Sequence, residues 1–229
     1  KAAIALGWQN IFTEVIVQTD ADCEVPENWL QYLLISFQDE EVNLVSGPVQ
    51  FYNEYGFLKK MAALDFAGLI AIGAAHIRWQ KAMICNGANL AYRSEVIKQA
   101  DLKTSKASGE DVFLMESVVR NFGQNSIVFC KRADAIVKTL GPQSFKEFWN
   151  QRLRWASKNG DYANKLNVSI LGFVWAYNLV VLAFVVSLNP TALTLAVFLV
   201  LIKLMAEIRF YESFEDFFAE KESWKNLLL

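Results

Sequence analysis

The stretch Glu14-Val15-Ile16-Val17-Gln18-Thr19-Asp20-Ala21-Asp22-Cys23 indicates the fold class of this chain. Its β-branched first half predicts a strand from Thr13 to Val17, and two carboxylates follow the strand at its carboxyl end. In an extended chain such carboxylates lie about 7 Å apart, and a local bend brings them together. Converging carboxylates suit a hard cation such as Mg²⁺ or Mn²⁺, which binds phosphate oxygens. The alternative is that the two acids mark a turn before the helix that Pro26 begins.

The composition narrows the class of protein. The chain has 229 residues, enough for one core or for one domain with an appendage, and 54% of them are apolar, which exceeds the usual share in a soluble domain. A net charge of -2 does not indicate the basic surface that binds nucleic acid, so we expect no nucleic-acid partner. Cys23, Cys85 and Cys130 are widely spaced, which indicates reduced, buried thiols in a cytosolic setting. His76 is isolated and is interpreted as structural.

Strand and helix patterns alternate along the chain as far as Lys158. The predicted strands cover Thr13–Val17, Val42–Phe51, a short segment after Asn89, Ser126–Cys130 and Ala135–Thr139, and the predicted helices cover Ala2–Gln9, Pro26–Gln38, Gly56–His76, Glu95–Ala100, Val112–Phe122 and Ser144–Lys158. This order predicts an α/β fold, a sheet covered by helices. The uncharged part of the third helix, Phe66–Ile77, is shorter than the roughly 20 residues that span a bilayer, so we expect a buried or closely packed helix.

The segment Cys85-Asn86-Gly87-Ala88-Asn89 places a glycine between two asparagines, just ahead of the short strand. Asparagine and glycine tolerate positive φ, so the residues by themselves favour a tight turn. The functional alternative is a loop whose small side chains allow a substrate to approach the backbone.

A second acidic segment, Ser108-Gly109-Glu110-Asp111, opens the helix that Gly123 closes. Ser108 and Asp111 have the spacing of a variant capping box, which is a structural role for the carboxylate. A carboxylate at a helix N-terminus, after the loop of residues 103–109, is also suited to act as a general base that faces a cleft. The two roles are compatible.

Ser144 and Glu147 form a capping box for the next helix. On that helix Gln151, Arg154 and Trp155 stand at i, i+3 and i+4 and share one face. A guanidinium beside an indole and an amide suits a diphosphate and a sugar ring. The alternatives are an ordinary amphipathic helix and a helix that lies in a membrane interface.

Two apolar segments follow this helix. Val168–Leu188 carries no charge and predicts a transmembrane helix, and Asn189-Pro190 leads to a shorter second span, Thr191–Ile202. Lysine and arginine cluster before the first span and after the second, so the positive-inside rule predicts a hairpin with the globular part in the cytoplasm. We therefore predict an α/β domain over 1–142, an interfacial helix over 143–166, a transmembrane hairpin over 167–208 and an amphipathic segment over 209–229.

The motifs Asp20-Ala21-Asp22, Gly87-Ala88-Asn89, Gly109-Glu110-Asp111 and Gln151-Arg152-Leu153-Arg154-Trp155, ahead of transmembrane segments, resemble those of the family 2 glycosyltransferases. The likeness is to the membrane-bound branch that includes cellulose, chitin and hyaluronan synthases, and it covers residues 1 to about 205. The resemblance implies a partial GT-A (Rossmann-like) domain followed by an interfacial helix and transmembrane helices. It also implies inverting transfer of a sugar from a nucleotide-diphosphate sugar, with UDP as the first choice, to a polysaccharide or lipid-linked hydroxyl.

The resemblance further implies a role for each matched side chain. Asp22 is the direct ligand of Mg²⁺ or Mn²⁺, Asp20 completes the metal pair nearer the nucleotide, and Asp111 is the base that deprotonates the acceptor hydroxyl. The residues implied in substrate binding are Asp20, Gly87, Ala88, Asn89, Glu110, Gln151, Arg154 and Trp155. Within this set the Gly87–Asn89 loop lines the acceptor site, and the last three residues lie at the donor diphosphate and the acceptor end.

Further expectations concern the whole protein. The first strands of the family, which hold the nucleotide base, are missing before Lys1, so we expect a fragment of an integral protein of the plasma or inner membrane, inactive by itself. One alternative is a non-processive transferase that makes a glycolipid. Another is a catalytically silent membrane subunit of a polysaccharide export system. A soluble metal-dependent phosphotransfer enzyme is a third, and it leaves Val168–Leu188 unexplained.

Overall fold

The structure is a computed structural model that describes residues 6–8, 11–52, 56–99, 109–156 and 165–218. It divides into two compact units. Unit 1 comprises Lys1–Leu153 together with Phe217–Leu229, and unit 2 comprises Arg154–Asp216. The division falls inside a helix, after Leu153.

Strands and helices alternate in the described residues, as the sequence predicts. The strands are β1 (Val15–Gln18), β2 (Cys23–Glu24), β3 (Leu44–Ser46), β4 (Val49–Tyr52), β5 (Leu90–Arg93), β6 (Ile127–Phe129) and β7 (Val137–Leu140). The helices are α1 (Trp29–Leu34), α2 (Phe57–Arg78), α3 (Glu95–Gln99), α4 (Glu110–Phe122), α5 (Phe145–Ala156), α6 (Lys165–Val186), α7 (Pro190–Glu212) and α8 (Glu215–Phe218). Short 3₁₀ turns cover Ile35–Gln38, Gln124–Ser126 and Ala133–Ala135, and residues 6–8 are helical.

The strands form two sheets in unit 1. The first has the order β1-β5-β3-β6, with β5 antiparallel to both of its neighbours and β3 parallel to β6. The second has the order β2-β7-β4, with β7 antiparallel to β2 and parallel to β4. Mixed sheets covered by helices confirm the α/β class. The long crossovers between parallel neighbours are the connections that such sheets require.

The predicted strand Val42–Phe51 is two strands, one in each sheet, and the break falls at Gly47-Pro48. A Cβ on Gly47 would lie 2.3 Å from the Asn89 side chain, so only glycine fits at this crossing. The Asn89 amide fills the space: its Nδ2 donates to Pro48 O at 2.7 Å and to Ala135 O at 2.9 Å, while its Oδ1 accepts from Trp29 Nε1 at 2.9 Å. Tertiary packing, rather than the local pattern, therefore divides the strand.

Helix α1 covers part of this core with one face only. Trp29 and Leu33 are buried, whereas Leu30 and Leu34 are 50% and 41% exposed, so two of the four large apolar side chains at these positions point to solvent. The helix begins at Trp29, whose N–H donates to Pro26 O in a preceding turn, and not at Pro26. The cluster beneath it contains Trp29, Leu33, Val42, Val45, Ala91, Cys130, Ala135 and Val137.

Helix α2 packs along β4 and β6, which confirms the prediction of a closely packed helix. The Phe66 ring stacks on the Phe51 ring of β4, with centroids 4.1 Å apart and planes inclined by 5°. A Cβ on Gly73 would lie 3.1 Å from Ile84 O, so the helix approaches the neighbouring backbone closely. By length and composition alone, α2 is also one of two described helices that could cross a bilayer; the other is α7, and Gly172–Val186 of α6 is a shorter apolar segment.

Unit 2 is a helical hairpin built from α6 and α7. The Tyr177 hydroxyl of α6 donates to Leu199 O of α7 at 2.6 Å. Asn189 caps α7, because its Oδ1 accepts the Thr191 N–H at 2.9 Å, and Pro190 occupies the first turn. Helix α7 extends ten residues beyond the predicted end of the second span at Ile202, to Glu212. The hairpin exposes large apolar side chains, among them Phe173 (71%), Trp175 (70%), Phe198 (60%) and Met205 (60%).

Candidate active site

The Asp20–Asp22 pair lies in a turn between β1 and β2. The turn is closed by a hydrogen bond from the Cys23 N–H to Asp20 O, at 3.2 Å. One carboxylate oxygen from each aspartate and the Cys23 Sγ consequently lie within 4.8 Å of one another. Both aspartates are exposed, while Cys23 is half-buried. The bend that convergence requires is therefore present.

The donor atoms of this turn fit a hard divalent cation. Burial raises the pKa of the Cys23 thiol, the charges of Asp20 and Asp22 raise it further, and a hydrogen bond with Thr139 acts in the opposite direction. The sulfur is therefore protonated at neutral pH, and the two carboxylates are the charged donors. Mg²⁺ and Mn²⁺ prefer such oxygen ligands, so Asp20 and Asp22 suit the metal that the sequence predicts.

Gly87 and Asp111 are 24 residues apart in sequence and are in contact in unit 1. The Gly87 N–H donates to Asp111 Oδ2 at 3.1 Å, and the Val112 N–H donates to Oδ1 at 2.9 Å. Both oxygens of the carboxylate thus accept a backbone N–H, one from the Gly87 loop and one from α4. Asp111 lies in the first turn of α4, where the helix dipole also favours negative charge. Asp111 is half-buried, and these two bonds fix its orientation.

Gly87 is needed for close approach rather than for an unusual backbone angle. A Cβ at this position would lie 3.1 Å from Gln18 Nε2 and 3.4 Å from Asp111 Cβ. The positive φ that a tight turn predicts is not found there, since the glycines with positive φ in the described part of the chain are Gly56, Gly109 and Gly123. The small residue at 87 therefore allows the loop to fit between β1 and α4.

Gln18 is a residue of this site that the sequence analysis missed. It is the last residue of β1, two positions before Asp20, and its Nε2 donates to Gly87 O at 3.3 Å. Its Oε1 accepts from the Tyr92 hydroxyl at 3.3 Å. A polar residue at the end of an otherwise apolar strand was the available signal, but a sequence pattern does not show what such a side chain contacts.

Ala88 and Asn89 lie deeper than their predicted role in the acceptor site suggests. Ala88 is 3% exposed and Asn89 is 0% exposed. The three hydrogen bonds of the Asn89 amide all go to protein groups, namely Trp29, Pro48 and Ala135. In this structure Asn89 holds the base of the loop, and Asn86 and Gly87 form its half-buried outer part.

Two further groups surround Asp111. The Cys85 Sγ lies 3.3 Å from Asp111 O, and burial, followed by the charge of Asp111, raises the pKa of the Cys85 thiol well above its usual value, so that it stays neutral. Glu110 begins α4 and is half-buried. The predicted capping residue Ser108 lies outside the described residues. The N-cap position is occupied by Gly109, which makes no side-chain cap.

The predicted capping box of α5 is present in its Ser144 half, while Glu147 accepts from Gln143 and not from Ser144. Ser144 Oγ accepts the Glu147 N–H at 3.2 Å, and Glu147 Oε2 accepts the Gln143 N–H at 2.7 Å. Within the described residues, Gln151 Oε1 is screened from solvent and has no hydrogen-bond partner in the protein. Its neighbour Arg152 forms an ion pair with Asp65 of α2.

The predicted site residues therefore fall into separate groups. The structure brings Asp20 together with Asp22, and Gly87 together with Asp111. Gln151 lies on the part of α5 that belongs to unit 1. Arg154 and Trp155 share that helix but belong to unit 2, Arg154 being exposed and Trp155 half-buried.

A family comparison agrees with these motifs. The family model described as glycosyl transferase family group 2 matches residues 15–210, which include both carboxylate groups, the Gly87 loop, α5 and most of the helical hairpin. This chain belongs to that family. No curated protein matches the sequence of this group 2 glycosyltransferase.

Solved structures of low similarity to this family 2 chain include glucosyl-3-phosphoglycerate synthase from Mycobacterium tuberculosis. Its complex with Mn²⁺, UDP-glucose and phosphoglyceric acid is 16% identical over 56% of this chain and 42% of that chain, with a TM-score of 0.35. Its complex with phosphoglyceric acid is 14% identical over 64% of this chain and 48% of that chain, with a TM-score of 0.40. The chain thus spans less than half of the length of these structures.

Proposed function

We propose that the protein containing this chain transfers a sugar from a nucleotide-diphosphate sugar to an acceptor hydroxyl, with inversion at the transferred carbon. The observation that carries the proposal is the contact of Asp111 with the Gly87 loop. The same loop contacts Gln18, the last residue of β1, which leads into the Asp20–Asp22 turn. Membership of glycosyl transferase family group 2 supports it. Asp111, oriented by two backbone N–H groups, provides a base. The paired carboxylates of Asp20 and Asp22, which follow the Gln18 that contacts the same loop, provide a place for a cation.

The proposed reaction is a single displacement. The acceptor hydroxyl gives its proton to Asp111 while its oxygen forms a bond to the sugar, and the bond from the sugar to the diphosphate breaks on the opposite side. A Mg²⁺ or Mn²⁺ ion held by Asp20 and Asp22 would supply positive charge for the leaving diphosphate. Gln151, Arg154 and Trp155 bind the diphosphate and the sugar. Glu110 and Gly87 contact the substrate beside Asp111, and Ala88 and Asn89 shape the loop from beneath.

We further propose a location in the plasma or inner membrane, with the α/β unit in the cytoplasm. The support is the exposed apolar surface of the α6–α7 hairpin, together with the lysine and arginine residues that flank it in sequence. The division into an α/β domain, an interfacial helix, a hairpin and a juxtamembrane segment belongs to this proposal, as does a longer parent protein that supplies the nucleotide-binding strands.

The acceptor defines two versions of the proposal. In the first, the protein belongs to the branch that makes cellulose, chitin or hyaluronan, its donor is a UDP-sugar and its acceptor is the growing polysaccharide. In the second, a non-processive enzyme glycosylates a lipid once. A silent membrane subunit is the remaining candidate. The motif carboxylates, all present in this chain, argue against it.

The test uses the complete protein in membranes, with Mg²⁺ or Mn²⁺ and a panel of radiolabelled nucleotide sugars. We expect transfer from one donor, loss of transfer with a chelator or in Asp22→Ala, and a fall of about 10²–10⁴-fold in Asp111→Asn, since general-base catalysis contributes that factor. Asp134→Asn, at an exposed site on a 3₁₀ turn, is the matched control and should retain the wild-type rate.

The outcomes separate the versions. Label in a long polymer identifies a processive synthase, and label in a lipid-extractable product identifies the glycolipid enzyme. Wild-type rates in Asp111→Asn would show that the base is another residue. No transfer from any donor would favour the silent subunit.

A further inference from the structure

We infer that Gln18 is a positioning residue that holds the Gly87 loop against Asp111 and so fixes the carboxylate of the proposed base. The inference rests on the proposed function for its catalytic consequence, and on a continuous set of hydrogen bonds for its geometry. Gln18 lies outside the four motifs that carry the family resemblance.

The hydrogen bonds form a series in which each group donates to the next, from Trp8 to the Gly87 loop. Trp8 Nε1 donates to the Tyr92 hydroxyl at 2.9 Å, the hydroxyl donates to Gln18 Oε1 at 3.3 Å, and Gln18 Nε2 donates to Gly87 O at 3.3 Å. The Gly87 N–H then donates to Asp111 Oδ2 at 3.1 Å. Gln18 thus connects the side chains of Trp8 and Tyr92 to the loop that contacts Asp111.

The chemistry at the two ends determines the orientation of the Gln18 amide. An indole N–H can only donate and a peptide carbonyl can only accept. The Tyr92 hydroxyl therefore uses its oxygen to accept from Trp8 and its hydrogen to donate to Gln18, which places Oε1 towards Tyr92 and Nε2 towards Gly87. Burial raises the pKa of Tyr92, which is 1% exposed, so the hydroxyl keeps the hydrogen that it donates.

The β1–β5 pairing holds the two side chains in place. Gln18 pairs with Leu90 and Ile16 pairs with Tyr92 in the antiparallel register, so Gln18 and Tyr92 are diagonal neighbours on one face of the sheet. Because a Cβ at Gly87 would lie 3.1 Å from Gln18 Nε2, the loop is in close contact with the amide. Removal of the amide group therefore leaves Gly87 O without its donor and frees the loop to move away from Asp111.

The test compares Gln18→Met, Gln18→Glu and the control Gln31→Met in the complete membrane-bound protein. Methionine keeps the volume and removes both hydrogen bonds. Glutamate keeps the acceptor for Tyr92 but turns an oxygen towards Gly87 O. Gln31 is an exposed residue of α1, so its replacement by methionine should change nothing.

We expect kcat to fall about tenfold in Gln18→Met, with the donor KM unchanged. This factor corresponds to the net loss of the one hydrogen bond that reaches the loop, from Gln18 to Gly87 O. Gln18→Glu should fall further, because two acceptors then face each other. Tyr92→Phe should give a smaller fall in kcat alone, and its effect should not add to that of Gln18→Met.

A second measurement separates this inference from the proposed function. Amide hydrogen exchange in the peptide that covers residues 85–91 should become about tenfold faster in Gln18→Met, because the loop opens more readily. Unchanged exchange would overturn the inference whatever the activity. A raised donor KM with an unchanged kcat would also overturn it, since Gln18 would then act on the neighbouring Asp20 turn. Faster exchange in a protein that transfers no sugar would support the positioning role and overturn the proposed function.

Discussion

At Gly47 the chain leaves one sheet and enters the other, and a hydrogen atom is all that the position can hold. The fully buried Asn89 amide occupies the space where a Cβ would stand, and it is held by its hydrogen bonds to Trp29, Pro48 and Ala135. A side chain at 47 would therefore have to displace a buried amide from these three hydrogen bonds. Buried polar groups that lose their partners cost about 1–3 kcal/mol each.

We predict that Gly47→Ala lowers the free energy of unfolding by about 3 kcal/mol or more, because overpacking and lost hydrogen bonds act together. The measurement is denaturant unfolding of the complete protein in detergent, followed by tryptophan fluorescence. Gly7→Ala is the matched control: nothing lies within 4 Å of its added Cβ. Equal stability of the two variants would mean that the Asn89 amide can move aside without loss.

At the scale of elements, polar contacts join α2 to α5 and to the residues just before it. None of its residues is buried. Arg152 pairs with Asp65 of α2, and its guanidinium lies 4.9 Å from the centroid of the Phe148 ring. At the beginning of the helix, Lys59 Nζ donates to Gln143 Oε1 at 2.5 Å. The position of Gln151, next to Arg152, therefore depends on polar side chains from α2, Asp65 and Lys59.

We predict that Asp65→Asn and Arg152→Gln each loosen α5 and that the double variant shows less than the sum of their effects. The coupling should be about 0.5–1 kcal/mol, because the Asp65 side chain is 49% exposed and solvent screens the pair. Hydrogen exchange of the α5 amides is the measurement. Glu207→Gln, which breaks an exposed pair with Lys203 on α7, is the control. Additive effects would show that the two residues act independently.

At the scale of the whole molecule, the α6–α7 hairpin exposes a surface that water does not favour. Phe173, Trp175, Phe198 and Met205 are among the large apolar side chains exposed on its two helices, whereas α2 buries Phe66 and Ile77 against its own unit. Apolar surface of this extent marks contact with a membrane or with another protein. The absence of charge from 168 to 188 favours the membrane.

We predict that the turn between α6 and α7 lies on the non-cytoplasmic side of the membrane. In a variant without native cysteines, Ser187→Cys should react with an impermeant thiol reagent in intact cells. Ser213→Cys, after the end of α7, should react only after permeabilisation, because the positive-inside rule places that end in the cytoplasm. Labelling of both positions from the same side would contradict a transmembrane hairpin.

Sequence alone determined the features that depend on neighbours along the chain. The β-branched run of β1, the closeness of Asp20 and Asp22, the Ser144 cap and the apolar composition of α6 and α7 are all local. The residue types and spacing of each predict its structure, although α7 extends ten residues beyond the expected end at Ile202. The α/β class follows from the alternation of these elements, and the family from the order of the motifs. These are the parts that the structure and the family comparison agree with.

Only the tertiary structure decided which side chains meet. Gln18 contacts Gly87 across 69 residues, Gly87 contacts Asp111 across 24, and Trp29 contacts Asn89 across 60. Such contacts depend on strand order and register, which the local pattern does not specify. For the same reason the sequence did not predict the break at Gly47, the full burial of Asn89 or the exposure of Leu30 and Leu34. Periodicity indicates that a face is apolar, but only packing determines what covers it.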